Sequence, residues 1–224
     1  MPYRIHPLVT NEFYHIFNRG IDKRHTFTDA YECHRAMQIL DYYRHVSPPL
    51  KLSRFLKLSL LERDDIMRSL VKYSQKLVSI ISFCLMPNHF HFLLRQNIDN
   101  GISKFIGLFE NSFTRYFNTR HERVGPLFLD QFKSTRMETD EQLMHVSRYI
   151  HLNPYTSYVV KDVDSLIKYP YSSLPEYIGL NSGPSDAKVI LSFFKNKEQY
   201  KQFIIDQKDY QRTLDKIKHL TFEE

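Results

Sequence analysis

Apolar residues concentrate mid-chain in two consecutive runs. Leu77-Val-Ser-Ile-Ile-Ser-Phe-Cys-Leu85 is rich in β-branched residues, Pro87-Asn88 interrupts it, and a second run reaches Leu94. Short apolar runs bounded by turn residues predict two buried strands joined by a tight connection, from about 77 to 95. Side chains alternate along a strand, so His89 and His91 leave one face while Phe90 and Phe92 fill the other.

The remaining elements follow from period and punctuation. Glu12 to Arg19 is aromatic-rich and predicts a first strand ended by Gly20. Asp29 is placed to cap a helix from Ala30 to about Arg44, stopped by Ser47-Pro-Pro49. The mixed apolar and charged stretch from 50 to 75 predicts one or two short helices. Ile102, Phe105, Ile106, Phe109, Phe113, Tyr116 and Phe117 recur at helical spacing and predict a helix to about Arg120. Leu127 to Arg136 reads as a fourth strand after Gly125-Pro126. Thr139-Asp-Glu-Gln142 matches a capping box opening another helix, which Pro154 is expected to fray or end. Residues 160–183, with Tyr169-Pro-Tyr-Ser-Ser-Leu-Pro175, read as an extended surface strap, and Asp186 to about Lys218 as helical.

This order predicts an α+β fold: a ferredoxin-like split βαβ with an antiparallel sheet and helices packed mainly on one face, plus a helical C-terminal extension. The expected organisation is one domain over residues 1–180, with a helical insertion at 47–76, and a helical tail over 181–224. The histidine strand should be central.

Composition narrows the partners. Lys and Arg number 31 against 25 Asp and Glu, a net charge of +6, with an isoelectric point near 9.1. That balance favours a polyanionic partner. Cys33 and Cys84 fall in a predicted helix and a buried strand, as core thiols of a reducing compartment do. No apolar signal segment follows Met1 and no run is long enough to span a membrane, so a cytoplasmic protein is expected.

Two imidazoles on one strand face form half of a metal site, although a hydrogen-bonded histidine pair would give the same triplet. The other half is sought in Arg148-Tyr-Ile-His-Leu-Asn-Pro154. Tyr149 and Asn153 are four apart and share a helix face, which His145 extends. If this helix docks beside the histidine strand, the Asn153 amide oxygen completes the metal site and the Tyr149 phenol lies one turn away. A phenol is a poor nucleophile at neutral pH, and a divalent cation polarising a phosphodiester remedies that. Attack by Tyr149 would give a covalent phosphotyrosine and divide strand transfer into two steps. Tyr149 could otherwise be a packing residue and Asn153 a helix cap. Tyr116 is the rival nucleophile, but its i+4 neighbour, Arg120, cannot ligate a metal. His15 on the first strand contributes to the site or supports it; alternation alone does not say which.

The motifs together resemble the single-tyrosine HUH endonucleases, specifically the REP-associated tyrosine transposases. Leu85-Met-Pro-Asn-His-Phe-His-Phe-Leu93 and Tyr149-Ile-His-Leu-Asn-Pro154 carry the resemblance, with Phe17-Asn-Arg-Gly20, Gly125-Pro-Leu-Phe128 and Tyr169-Pro-Tyr-Ser-Ser173. It covers residues 10–180 and departs slightly at Tyr171, where the family more often has Trp. The resemblance implies metal-dependent cleavage of single-stranded DNA, a 5′-phosphotyrosine on Tyr149, and His89, His91 and Asn153 as ligands of Mg2+ or Mn2+. It also implies recognition of short DNA hairpins. Arg19, Arg115, Arg120, Arg123, Lys133, Arg136 and Arg148 are candidate DNA contacts. Monomer and homodimer both remain open. Two other readings are carried forward: a non-catalytic single-stranded nucleic-acid-binding module, and a hydrolase that uses activated water.

Overall fold

The computed structural model describes residues 7–207. Strand β1 (Phe13–Arg19) leads to helix α1 (Ala30–Tyr43), the short helix α2 (Leu52–Phe55), helix α3 (Leu60–Tyr73), and strands β2 (Val78–Met86) and β3 (His89–Gln96). Then come α4 (Gly101–Arg120), β4 (Lys133–Arg136) and α5 (Asp140–Thr156). Four short helices close the described chain: α6 (Val163–Ile167), α7 (Leu174–Ile178), α8 (Lys188–Leu191) and α9 (Lys197–Ile205).

The sheet order is β2-β3-β1-β4, every pair antiparallel, which is the expected split βαβ arrangement with the histidine strand inside. Phe90, Phe92 and Leu94 of β3 face α1 and α4, joining Ile16, Phe105, Phe109 and Phe113 in one buried cluster. Helices are not confined mainly to that face. Helix α5 packs on the other one, where Ile81, Cys84 and Leu93 meet Leu143, Ile150 and Leu152. Both faces of β2 and β3 therefore have to be apolar, which is why these strands read as near-continuous runs.

Local chemistry fixes the element ends. Asp29 accepts from the Glu32 N–H and starts α1. Thr139 accepts from the Gln142 N–H at 3.1 Å, while the Gln142 side chain reaches back to the Glu138 N–H at 2.8 Å. In the 50–75 stretch, Leu52, Phe55 and Leu70 are buried, whereas Leu60, Leu61, Val71 and Tyr73 of α3 are exposed.

Three expectations give way. The fourth strand is shorter than Leu127–Arg136. Leu127, Phe128 and Phe132 are instead buried in the core; Phe128 makes an isolated bridge with Gly20 and Leu129 N–H donates to the Arg19 carbonyl, and the strand proper is Lys133–Arg136. Helix α5 does not end at Pro154 but runs to Thr156. A proline so near the C-terminus forfeits one ladder bond, and Ser157 and Val160 N–H groups still reach the carbonyls of Asn153 and Pro154 at 3.0 and 2.9 Å. The 160–183 strap is neither extended throughout nor superficial. It contains α6 and α7, and Ser172, Ser173, Leu174 and Tyr177 are buried. Leu85 N–H donates to the Tyr171 carbonyl at 2.9 Å and Ser173 N–H to that of Phe83 at 3.0 Å. The strap thus covers the edge of β2, whose backbone groups would otherwise lack partners.

Beyond 181, Ile190, Tyr200 and Ile204 are buried against α5. The helical expectation from 208 to 218 lies outside the described residues.

Candidate active site

The site lies on the α5 side of the sheet, at the β3 end nearest the β2–β3 turn. That turn is two residues long, Pro87-Asn88, and the loop after β1 braces it. Thr26 and Phe27 N–H groups donate to the Pro87 carbonyl at 2.7 and 3.0 Å, and Gly20 N–H to that of Asn88 at 2.8 Å. A Cβ on Gly20 would collide with the Arg24 carbonyl oxygen, so this close passage requires glycine.

From this frame His89 and His91 project toward α5, their ring centroids 5.0 Å apart. His89 Nδ1 lies 2.6 Å from Asn88 Oδ1. An amide oxygen only accepts, so Nδ1 carries the proton and Nε2 the lone pair. His91 is buried, with Nδ1 2.9 Å from His15 Nε2. Burial and the neighbouring His15 and His89 rings push the His91 pKa well below the usual histidine range. Burial lowers that of His15 to about 4. Both rings are neutral at pH 7, the form in which imidazole binds a metal.

Helix α5 supplies the remaining groups. The Tyr149 ring stands edge-on to His91, centroids 5.4 Å apart, and to His15 at 5.9 Å. Asn153, one turn on, is buried, and its Oδ1 accepts from Ser157 Oγ at 3.3 Å. A cleft of about 520 Å³ opens here, lined by Tyr149, Asn153, His89, Asn88, Phe17 and Lys133, among others. Strand and helix therefore bring the candidate phenol, the amide and the His89 imidazole to one cleft, with the buried His91 ring against Tyr149.

The rotation of α5 that aims Tyr149 at the cleft is fixed on its other side by a buried polar network. Ser147 Oγ is 2.9 Å from Ser82 Oγ and 2.8 Å from Tyr200 Oη. His151 Nδ1 is 2.7 Å from Tyr200 Oη, and its Nε2 is 2.7 Å from Ser173 Oγ. One ring of hydroxyls thus ties the helix to β2, the strap and α9.

The candidate DNA contacts separate into three groups. Arg19 and Lys133 line the cleft. Arg115 and Arg120 lie across the sheet in a second cleft of about 570 Å³, with Arg35, Lys51 and Tyr116. Tyr116 is thereby removed from the histidines and lies under the Arg35 guanidinium at 4.6 Å. Arg120 is ion-paired with Asp29 at 2.5 Å. The other three are engaged locally: Arg123 with Asn118 Oδ1 at 2.6 Å, Arg136 with Glu12 at 3.0 Å, and Arg148 over the Phe203 ring at 4.2 Å. His145 does not extend the site; it stands beside Phe203 and Arg148 at the α9 side. Lys23, Asn88 and Phe17 also line the cleft; Lys23 was not singled out from sequence, and Asn88 and Phe17 stood in motifs without a site role. Asn88 had a signal, standing directly before His89 in the turn.

Residues 62–153 match the model of a family described as transposase IS200 like. The segment contains His89, His91, Tyr149 and Asn153. Among solved structures, the chain is similar to one described as "Structure of the REP associates tyrosine transposase bound to a REP hairpin". The identity is 15%, the TM-score 0.48, and the alignment covers 80% of this chain and 86% of that one. A comparison with curated proteins finds no match.

The residues present fit a divalent cation. Among the described residues no three His, Cys, Asp or Glu side chains are grouped to hold a metal on their own. The candidate set instead joins two imidazoles to an amide oxygen, a mixed nitrogen–oxygen set that suits manganese better than magnesium, which prefers oxygen.

Proposed function

We propose that this protein cuts and rejoins single-stranded, hairpin-containing DNA, with Tyr149 as the nucleophile. The observation that carries this reading is the Tyr149 ring edge-on to His91, 5.4 Å between centroids, in a cleft shared with His89 and Asn153. The IS200-like match over the stretch holding all four residues supports it.

His89, His91 and Asn153 would hold the cation. Bound there, it would neutralise charge developing on the scissile phosphate. Tyr149 Oη gives up its proton and attacks phosphorus. The bond from phosphorus to the 3′ oxygen breaks, and that oxygen leaves as a 3′-hydroxyl after taking up a proton. The DNA 5′ end is then held as a phosphotyrosine. Attack by a 3′-hydroxyl reverses the step and restores a diester without a nucleotide cofactor. Arg19, Lys133 and Lys23 line the same cleft and would hold the strand's phosphates. Arg115 and Arg120 in the second cleft would contact DNA farther from the cut. Cys33 and Cys84, both buried free thiols, suit a cytoplasmic enzyme.

The test is a denaturing gel of end-labelled single-stranded DNA from the flanks of the gene, incubated with protein and Mn2+. A transferase gives a protein–DNA adduct that survives denaturation, and His89→Ala abolishes it. A hydrolase gives cut DNA without an adduct, and a binding module leaves the DNA intact. Either of those results rejects the proposal.

A further inference from the structure

We infer that His15 is a positioning residue that selects which nitrogen of His91 is offered as a metal ligand. The inference rests on the metal-dependent reading above but concerns a residue that reading does not use. His15 stands on β1, where it pairs with Leu93 on β3, two positions from the Phe17–His91 pair. Both imidazoles leave the α5 face of the sheet. Their rings are within 25° of coplanar, and a single 2.9 Å contact joins His15 Nε2 to His91 Nδ1.

A neutral imidazole has one N–H and one lone pair. If His91 is to offer a lone pair at Nε2, its proton must sit on Nδ1 and needs an acceptor. Among the described residues the hydrogen-bond partner of that atom is His15 Nε2, which meets the requirement when the His15 proton is on Nδ1. The two tautomers are therefore coupled: one proton arrangement on His15 makes Nε2 of His91 a ligand. His89 has the same pattern by a simpler device, because Asn88 Oδ1, 2.6 Å from its Nδ1, can only accept. Each candidate ligand histidine is thus oriented through Nδ1 by a neighbour, the arrangement in which outer groups tune ligating histidines. The Phe17 ring, 5.1 Å from His15 and 5.6 Å from His91, limits the tilt of both. The opposite assignment, with His15 itself a ligand, would require its Nε2 to leave His91 and point at the cation.

Two variants and one direct observation test this. Long-range 15N–1H correlation on the metal-free wild type should show His91 as the Nδ1–H tautomer. His15→Phe keeps a ring of similar size but offers no acceptor. Mn2+ affinity, measured by electron paramagnetic resonance, should then fall about 10- to 100-fold. His15→Gln, which restores an acceptor oxygen, should recover most of that loss, and the Co2+ absorption spectrum of the Gln variant should match the wild type. A wild-type His91 protonated at Nε2, or unchanged Mn2+ affinity in His15→Phe, overturns the inference. A Co2+ spectrum showing one nitrogen ligand fewer in His15→Gln also overturns it, by making His15 a ligand. If the wild type has the stated tautomer but binds no cation, the metal-dependent reading fails while the His15–His91 coupling stands.

Discussion

Tyr149 and His91 meet edge to face, ring centroids 5.4 Å apart, although one sits on a helix and the other on a strand 58 positions earlier. This relationship makes Tyr149→Phe the cleanest single substitution. The ring and its packing remain while the attacking oxygen is lost. Cleavage should fall about a thousandfold or more, whereas DNA affinity by fluorescence anisotropy stays near wild type. Retained cleavage would show that another group attacks phosphorus.

Lys133 and Arg19 line the cleft from adjacent strands, and neither forms an ion pair among the described residues. Lys133→Ala should weaken single-stranded DNA binding across sequences and reduce the log–log salt slope by about 0.7. Arg123→Ala should leave the slope unchanged, because that guanidinium is held by Asn118 and the Pro126 carbonyl. An unchanged slope in Lys133→Ala would place the DNA path elsewhere.

Tyr200 on α9 connects Ser147 and His151 of α5 through one hydroxyl. Tyr200→Phe leaves both partners short of a hydrogen bond in a buried place. The expected cost is about 1–3 kcal/mol, seen as a melting temperature lower by about 2–10 °C. Differential scanning calorimetry reads it directly, and an unchanged melting temperature would mean the network does not hold α5.

Glu110 of α4 accepts from Asn18 Nδ2 at 2.8 Å, and burial raises its pKa to about 7. A carboxyl whose folded pKa exceeds its unfolded value favours folding fully below the unfolded pKa, near 4.5, and loses that contribution as pH rises through 7. Glu110→Gln removes the titration. Urea denaturation should therefore show the variant gaining on the wild type between pH 5 and 8, by about 1–3 kcal/mol. A stability difference that does not change with pH would contradict this.

Much of this could be read from the chain because it depends on local rules. The strand pair, the long helix α4 and the Thr139 cap follow from period and capping chemistry. The two halves of the candidate site follow from spacing: two on a strand for His89 and His91, four on a helix for Tyr149 and Asn153. What sequence could not supply was long-range. Nothing local says that α5 crosses to the face opposite α1 and α4, or that Arg115 and Arg120 go with the latter. The 160–183 strap reads as polar and turn-rich, yet Ser172 and Ser173 are buried, and the Ser173 hydroxyl meets the Phe83 N–H of β2 and His151 of α5. His15 had no assignable face until its register with β3 was known.

The central claim is tested most directly by locating the covalent bond. The adduct formed on single-stranded hairpin DNA with Mn2+ would be digested with nuclease and trypsin and fragmented by tandem mass spectrometry. Cleavage after Arg148 yields a peptide beginning at Tyr149 that also contains Tyr155 and Tyr158, so the fragment ions must assign the site. The account predicts the nucleotide mass on Tyr149. Nucleotide on Tyr155, Tyr158 or Tyr116 would contradict it.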